Sequence, residues 1–168
     1  RPAERSEMDR RFIEGLEVLY NASVMVGDPL RIVLAAAALE VVFGDPPSPP
    51  GYAFRAQAPW VARRLAHVAC DFGPVRVSRA ANRVGKPCPF HSGPRGADPT
   101  RCPHHAEALK LFDERNAILH DGLRQPHRLN ALEETYLVER WIRRAIEWMM
   151  STGSSKIDEL DRSAGIKP

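Results

Sequence analysis

The chain has 168 residues, 43% of them hydrophobic, enough to bury one core and not a second. Its 24 Lys and Arg against 21 Asp and Glu leave a net charge of +3, a balance compatible with phosphate binding and equally with a compositional bias toward Arg, Ala and Pro. No apolar run approaches the roughly 20 residues that span a bilayer, and the opening RPAERSEMDRR lacks the apolar centre of a secretory signal, so one soluble cytoplasmic domain is expected.

Helical periodicity begins near Ser6 and runs to about Val26, with Phe12, Leu16, Leu19, Tyr20 and Ser23 recurring at three- and four-residue steps. Asp28 as N-cap and Pro29 at the first helical position open LRIVLAAAALEVVF, a stretch so apolar that it should be central. The prolines of GDPPSPPGY force a loop. A third helix is expected from Gln57 or Pro59 to Phe72, with Trp60, Leu65, Val68 and Ala69 in register and Gly73-Pro74 as its stop.

Residues 74–103 lose the apolar period and read as an irregular insertion between the third and fourth helices, with a weak strand-like alternation at Val75 and Val77. A fourth helix is expected from Pro103 to Gly122, and a fifth from Pro126 to about Ser151. In the fifth, Trp141 and Trp148 suit packing, while Arg140, Arg143 and Arg144 suit an outer face balanced by Glu133, Glu134 and Glu139. The expected architecture is an all-α bundle of about five helices over 1–152, with 153–168 as a frayed helix or linker. The sequence contains no Gly-rich phosphate loop, no His-Glu-x-x-His and no nucleophile elbow, which disfavours kinase, Walker-type ATPase and zinc-protease chemistry.

Two constellations carry chemistry. In the fourth helix, DERNAILHDG places Leu111, Phe112, Ile118 and Leu119 on one stripe and Asp113, Asn116 and His120 on another. Arg115 lies between them, and its long side chain can bring the guanidinium to the polar side. Asp113 is then a candidate partner for Arg115 or Lys110. Arg and His near a helix C-terminus also serve as simple caps, so spacing leaves both readings open.

The second constellation is the echo CPFH at 88–91 and CPHH at 102–105. Two Cys-x2-His pairs can close a tetrahedral zinc site from Cys88, His91, Cys102 and His105, stapling an insertion too polar to fold alone. Such a site is structural. His104 is the alternative to His105, and a Cys88–Cys102 disulfide the alternative to zinc, disfavoured in a reducing compartment. Cys70 reads as a small core residue and His67 as a helix-surface histidine. No acidic residue separates Asp71 from Asp98, and Arg76, Arg79, Arg83 and Lys86 could track a nucleic-acid backbone or form a solvated surface.

The string RNAILHDG resembles the Arg-x4-6-His motif of HEPN domains of the ribonuclease type, the Apea-like branch included, in the form Arg-Asn-x3-His followed by Gly: Arg115, Asn116, His120 and Gly122. The run ending in Leu39-Glu40 resembles the apolar helix of such domains and WVARRLAHVACDF their Arg-containing helix, so the likeness covers most of residues 6–151. The Cys/His insertion is a departure from it. The resemblance implies a metal-independent endoribonuclease acting as a homodimer, with RNA supplying its 2′-OH and leaving 2′,3′-cyclic phosphate ends. It implies His120 in proton transfer, Arg115 stabilising phosphorane charge, Asn116 orienting His120 or a phosphate oxygen, and an antitoxin or other regulatory partner in a toxin or phage-defence setting. A noncatalytic module of the same shape, binding RNA, a nucleotide or a protein, is the competing class.

Overall fold

A computed structural model describes residues 5–25, 27–44, 57–70, 101–121 and 129–164 of the chain. These residues form six helices and, among them, no strand: α1 (Glu7–Val24), α2 (Asp28–Phe43), α3 (Gln57–Cys70), α4 (Pro103–Asp121), α5 (Ala131–Thr152) and α6 (Ile157–Ser163). The all-α expectation holds. None of these helices is long and apolar enough to cross a membrane.

The termini follow local chemistry. Ser6 caps α1 in a reciprocal box: its hydroxyl oxygen accepts from the Asp9 N–H at 3.1 Å, and Asp9 Oδ2 accepts from the Ser6 N–H at 3.0 Å. Asn130 Oδ1 accepts from the N–H groups of Leu132 and Glu133, so α5 starts five residues later than Pro126 suggested. A helix begins where a side chain satisfies its free donors. Gly153 ends α5 at φ 70°, a left-handed conformation in which its N–H donates to the Met149 carbonyl at 2.8 Å.

The apolar α2 is central as expected, burying Ile32, Ala35, Ala36, Ala38, Leu39, Val42 and Phe43 against α1, α3, α4 and α5. It has no basic residue in its last turn. Two arginines from other helices meet its C-terminal carbonyls instead: Arg11 donates to the carbonyls of Gly44 (2.7 Å) and Val41 (3.3 Å), and Arg64 to that of Phe43 (2.7 Å). Cations placed there complement the negative end of the helix dipole.

Where α1 packs along α2, the buried stripe is Met8, Phe12, Gly15, Leu19 and Ala22, while Leu16, Tyr20 and Ser23 are exposed. That departs from the expected stripe, for a steric reason. Gly15 stands so close to α2 that a Cβ there would collide with Val42 Cγ2 and sit 3.3 Å from the Ala38 carbonyl oxygen. Small residues let the backbones approach, and the larger ones rotate to the flank.

The described residues that follow α5, up to Ala164, pack into the bundle rather than trailing as a linker. Ile157 and Leu160 of α6 are buried in the main core. Asp161 receives a bidentate pair from Arg64, Nε to Oδ1 at 2.5 Å and Nη2 to Oδ2 at 2.6 Å. Ser163 Oγ lies 3.1 Å from His67 Nε2, and the half-buried His67 ring packs edge-on against Trp148. His67 thus keeps part of its surface exposed while packing against α5 and α6. Glu134, expected on the outer face, is buried, whereas Arg143 and Arg144 lie outward and pair with Glu139 and Glu147.

Candidate active site

The motif residues lie on α4, whose inner stripe is Ala108, Leu111, Phe112, Arg115 and Ile118. Arg115 therefore occupies a core register, only 3% exposed, while Leu119, expected in the stripe, is exposed. A cation placed there needs a carboxylate, because an unpaired buried charge costs several kcal/mol. The carboxylate is Glu40, from α2: Arg115 Nη1 donates to Glu40 Oε1 at 2.6 Å. The guanidinium carbon lies 5.2 Å from the Phe112 ring centroid, a cation–π contact that accounts for the aromatic one turn before it.

The other edge of the guanidinium holds Asn116. Arg115 Nε (3.3 Å) and Nη2 (3.0 Å) both donate to Asn116 Oδ1. Of the expected convergence of Arg115, Asn116 and His120, only the first two meet, with Glu40 as the carboxylate rather than Asp113, which is exposed; Lys110 pairs with Glu107. His120 sits four residues beyond Asn116 on the same face and is exposed in the last turn of α4. It makes no hydrogen bond to Arg115 or Asn116. The arrangement is a graded one, from a buried ion pair through a half-buried amide to an exposed imidazole.

In the sequence, Glu40 stands out only as the end of an apolar run. Its role has a signal there all the same: Asp28 and Glu40 are the sole acids of α2, and Arg115 is the one arginine within α4's buried stripe.

Cys102, His104 and His105 are all buried at the start of α4. The Cys102 carbonyl accepts from the Ala106 N–H at 3.1 Å, so Cys102 stands at the N-terminal, positive end of the helix dipole. His104 is engaged with α5: Trp141 Nε1 donates to His104 Nδ1 at 3.2 Å, the rings edge to face with centroids 6.4 Å apart. An indole N–H only donates, so Nδ1 carries the lone pair and the proton of the neutral ring is on Nε2. The Nδ1 lone pair of His104 is thus occupied by the Trp141 N–H.

Cys88 and His91, the other two expected ligands, lie outside the described residues, as do the expected backbone-tracking residues Arg76, Arg79, Arg83 and Lys86, the alternation at Val75 and Val77, the side chain of Cys70, and Gly122. Among the described residues no three metal-binding side chains are grouped. Trp141 and Trp148 are core residues, as expected. A shallow hollow along α1, lined by Ile13, Leu16, Glu17, Tyr20 and Asn21, includes none of the motif residues. No protein-family model matches the chain, and no curated protein or solved structure matches it.

Proposed function

We propose that this chain is a HEPN-like, metal-independent endoribonuclease of the cytoplasm that acts as a homodimer. The observation that carries the reading is the graded cluster on α4, in which the buried Arg115, paired with the partly exposed Glu40 of α2, holds Asn116 one turn below an exposed His120. Polar groups held in a core against their desolvation cost are frequent at sites that do chemistry.

In this reading the RNA 2′-oxygen attacks the adjacent phosphorus, His120 of one copy takes its proton, and His120 of the second copy gives a proton to the departing 5′-oxygen as the P–O5′ bond breaks. The product ends are a 2′,3′-cyclic phosphate and a 5′-hydroxyl. Arg115 and Asn116 supply the electropositive, hydrogen-bonding wall for the phosphorane. One motif histidine per chain is too few for separate acid and base roles, which gives the second copy its chemical use. The basic residues Arg76, Arg79, Arg83 and Lys86 would hold the RNA strand, and an antitoxin or regulatory protein would hold the activity in check.

Zinc has a separate, structural place in the proposal. Cys88, His91, Cys102 and His105 would close a Cys2His2 site that ties the 74–103 segment to the start of α4. Cys102 and His105, both buried and three positions apart at the start of α4, support it, and zinc would supply folding energy rather than chemistry.

One observation favours a second reading, a noncatalytic module that binds RNA, a nucleotide or a protein: Arg115 is so deeply ion-paired that a purely architectural role would account for it. Cleavage of a labelled mixed RNA pool by wild type and His120→Ala, in chelator and with product ends analysed, separates the two. Cyclic phosphate ends from wild type alone are the expected result. No His120-dependent cleavage by folded dimer would leave the binding module.

A further inference from the structure

The resemblance implies that Arg115 stabilises phosphorane charge and that Asn116 orients either His120 or a phosphate oxygen, but Arg115 is buried, with its guanidinium engaged by Glu40 and Asn116. We infer that Arg115 is a positioning residue and that the group presented to the RNA phosphate is the side-chain amide nitrogen of Asn116. The inference deepens the ribonuclease reading and rests on it only for the identity of the anion.

Everything depends on which end of the Asn116 amide faces which way. Oxygen and nitrogen of an amide are alike in shape, so shape alone does not orient it. Chemistry does. A guanidinium has five N–H donors and no acceptor, and it points two of its nitrogens, Nε at 3.3 Å and Nη2 at 3.0 Å, at one Asn116 atom. That atom must be the oxygen; a nitrogen there would set N–H against N–H. The two Nδ2 hydrogens therefore point away from Arg115, and they donate to no described residue.

Arg115 is itself fixed from behind. Glu40 Oε1 accepts from Nη1 at 2.6 Å and the guanidinium carbon lies over the Phe112 ring, so the fork cannot turn without leaving the buried guanidinium short of its carboxylate. The order of support is Glu40, then Arg115, then the Asn116 oxygen. What emerges is an amide with two donors held in one orientation, on the face that carries His120 one turn later. The guanidinium polarises that amide and makes its N–H groups better donors to an anion.

The full chain, 15N-labelled, is titrated with a 2′-O-methyl oligoribonucleotide, which binds as RNA but lacks the attacking hydroxyl. The Asn116 side-chain NH2 signals should shift on binding while the Arg115 Nε–H signal stays. Asn116→Asp keeps an oxygen for Arg115 but has no N–H to offer, so its melting temperature should not fall while affinity drops roughly tenfold or more, the size of one charge-assisted hydrogen bond. Arg115→Lys keeps the charge without the planar fork, and the free protein should show the Asn116 amide signals collapsed toward solvent-averaged values.

A moving Arg115 Nε–H signal with a still Asn116 amide overturns the assignment in favour of direct arginine contact. So does Asn116→Asp binding as tightly as wild type, or the absence of any binding by wild type. If Asn116→Asp does not fold, the wild-type titration alone decides. Should the oligonucleotide move the Asn116 amide while wild type cleaves no RNA, the ribonuclease reading fails and the assignment stands; His120-dependent cleavage with an unmoved Asn116 amide is the reverse case.

Discussion

Removing the Glu40 carboxylate tests the base of the cluster. In Glu40→Ala, Arg115 stays at a core register with its side chain 4% exposed and its 2.6 Å partner gone. Breaking a buried ion pair from one side costs about 3–5 kcal/mol. Here the Asn116 oxygen still accepts two hydrogen bonds, and Glu40 itself is 13% exposed and so partly hydrated, which places the loss near the lower end, about 3 kcal/mol. For a chain of this size that lowers the melting temperature by about 6–12 °C. Urea denaturation followed by circular dichroism and by tryptophan fluorescence measures it, and a cycle with Arg115→Ala isolates the pair. The double variant should recover more than about 1.5 kcal/mol of the summed losses, since it leaves no orphaned charge. A coupling below about 0.5 kcal/mol, the size found for exposed pairs, would refute the burial argument and the support order built on it.

Three further outcomes are expected. Gly15→Ala gains about 1 kcal/mol of helix propensity but drives a methyl into Val42 Cγ2 and toward the Ala38 carbonyl, at an overpacking cost of about 1–3 kcal/mol. Urea unfolding should show a net loss that Val42→Ala partly reverses, and a gain would mean that α1 and α2 are farther apart. Asp9 and Glu159 are held below their ordinary values of 3.8 and 4.5, Asp9 chiefly by the Ser6 hydroxyl and Glu159 chiefly by the Ser155 backbone N–H. Their contribution to stability is complete above those ordinary values and is lost as pH falls through the depressed ones. The stability gap between wild type and Asp9→Asn/Glu159→Gln should therefore close in acid, and a gap that widens instead would contradict the capping geometry. Metal analysis of protein purified without chelator should find one zinc per chain in wild type and in His104→Asn but none in Cys102→Ser or His105→Ala, with His120-dependent cleavage surviving chelation; zinc retained in His105→Ala and lost in His104→Asn would reverse the ligand choice.

Local punctuation is legible in the amino-acid sequence: Ser6, Pro29 and Pro103 each act within a turn of their own position, and the helices start beside them. What the sequence hides depends on a second helix. The turn of α1 about its axis is set by how closely Gly15 approaches Val42, and hydrophobic spacing within α1 contains no information on α2. Leu119 and Glu134 exchange their expected environments for the same reason, since periodicity gives a face and only the neighbours say whether it is covered. In the site, residue types are readable and their grouping is half so: Arg115 with Asn116 is a neighbour contact, whereas Glu40 is 75 positions away and reaches Arg115 only because α2 and α4 pack together. The docking of α6 is hidden likewise, because Arg64 and Asp161 are two charges of ordinary sequence context until the chain brings them together.

That last contact bears on how the chain acquires its structure during synthesis. Arg64 and Asp161 are separated by 97 positions, an interval of about 5–20 s at ordinary translation rates. Throughout it, α3 has been made and Asp161, which takes a bidentate pair from its Arg64, has not. A nascent chain bearing α1 to α5 can associate its apolar faces, yet it lacks the Asp161 contact and the Ile157 and Leu160 side chains that complete the core. The final closing of the bundle is therefore timed by the arrival of α6, and a ribosome stalled before residue 161 would display a protease-sensitive, incompletely sealed intermediate.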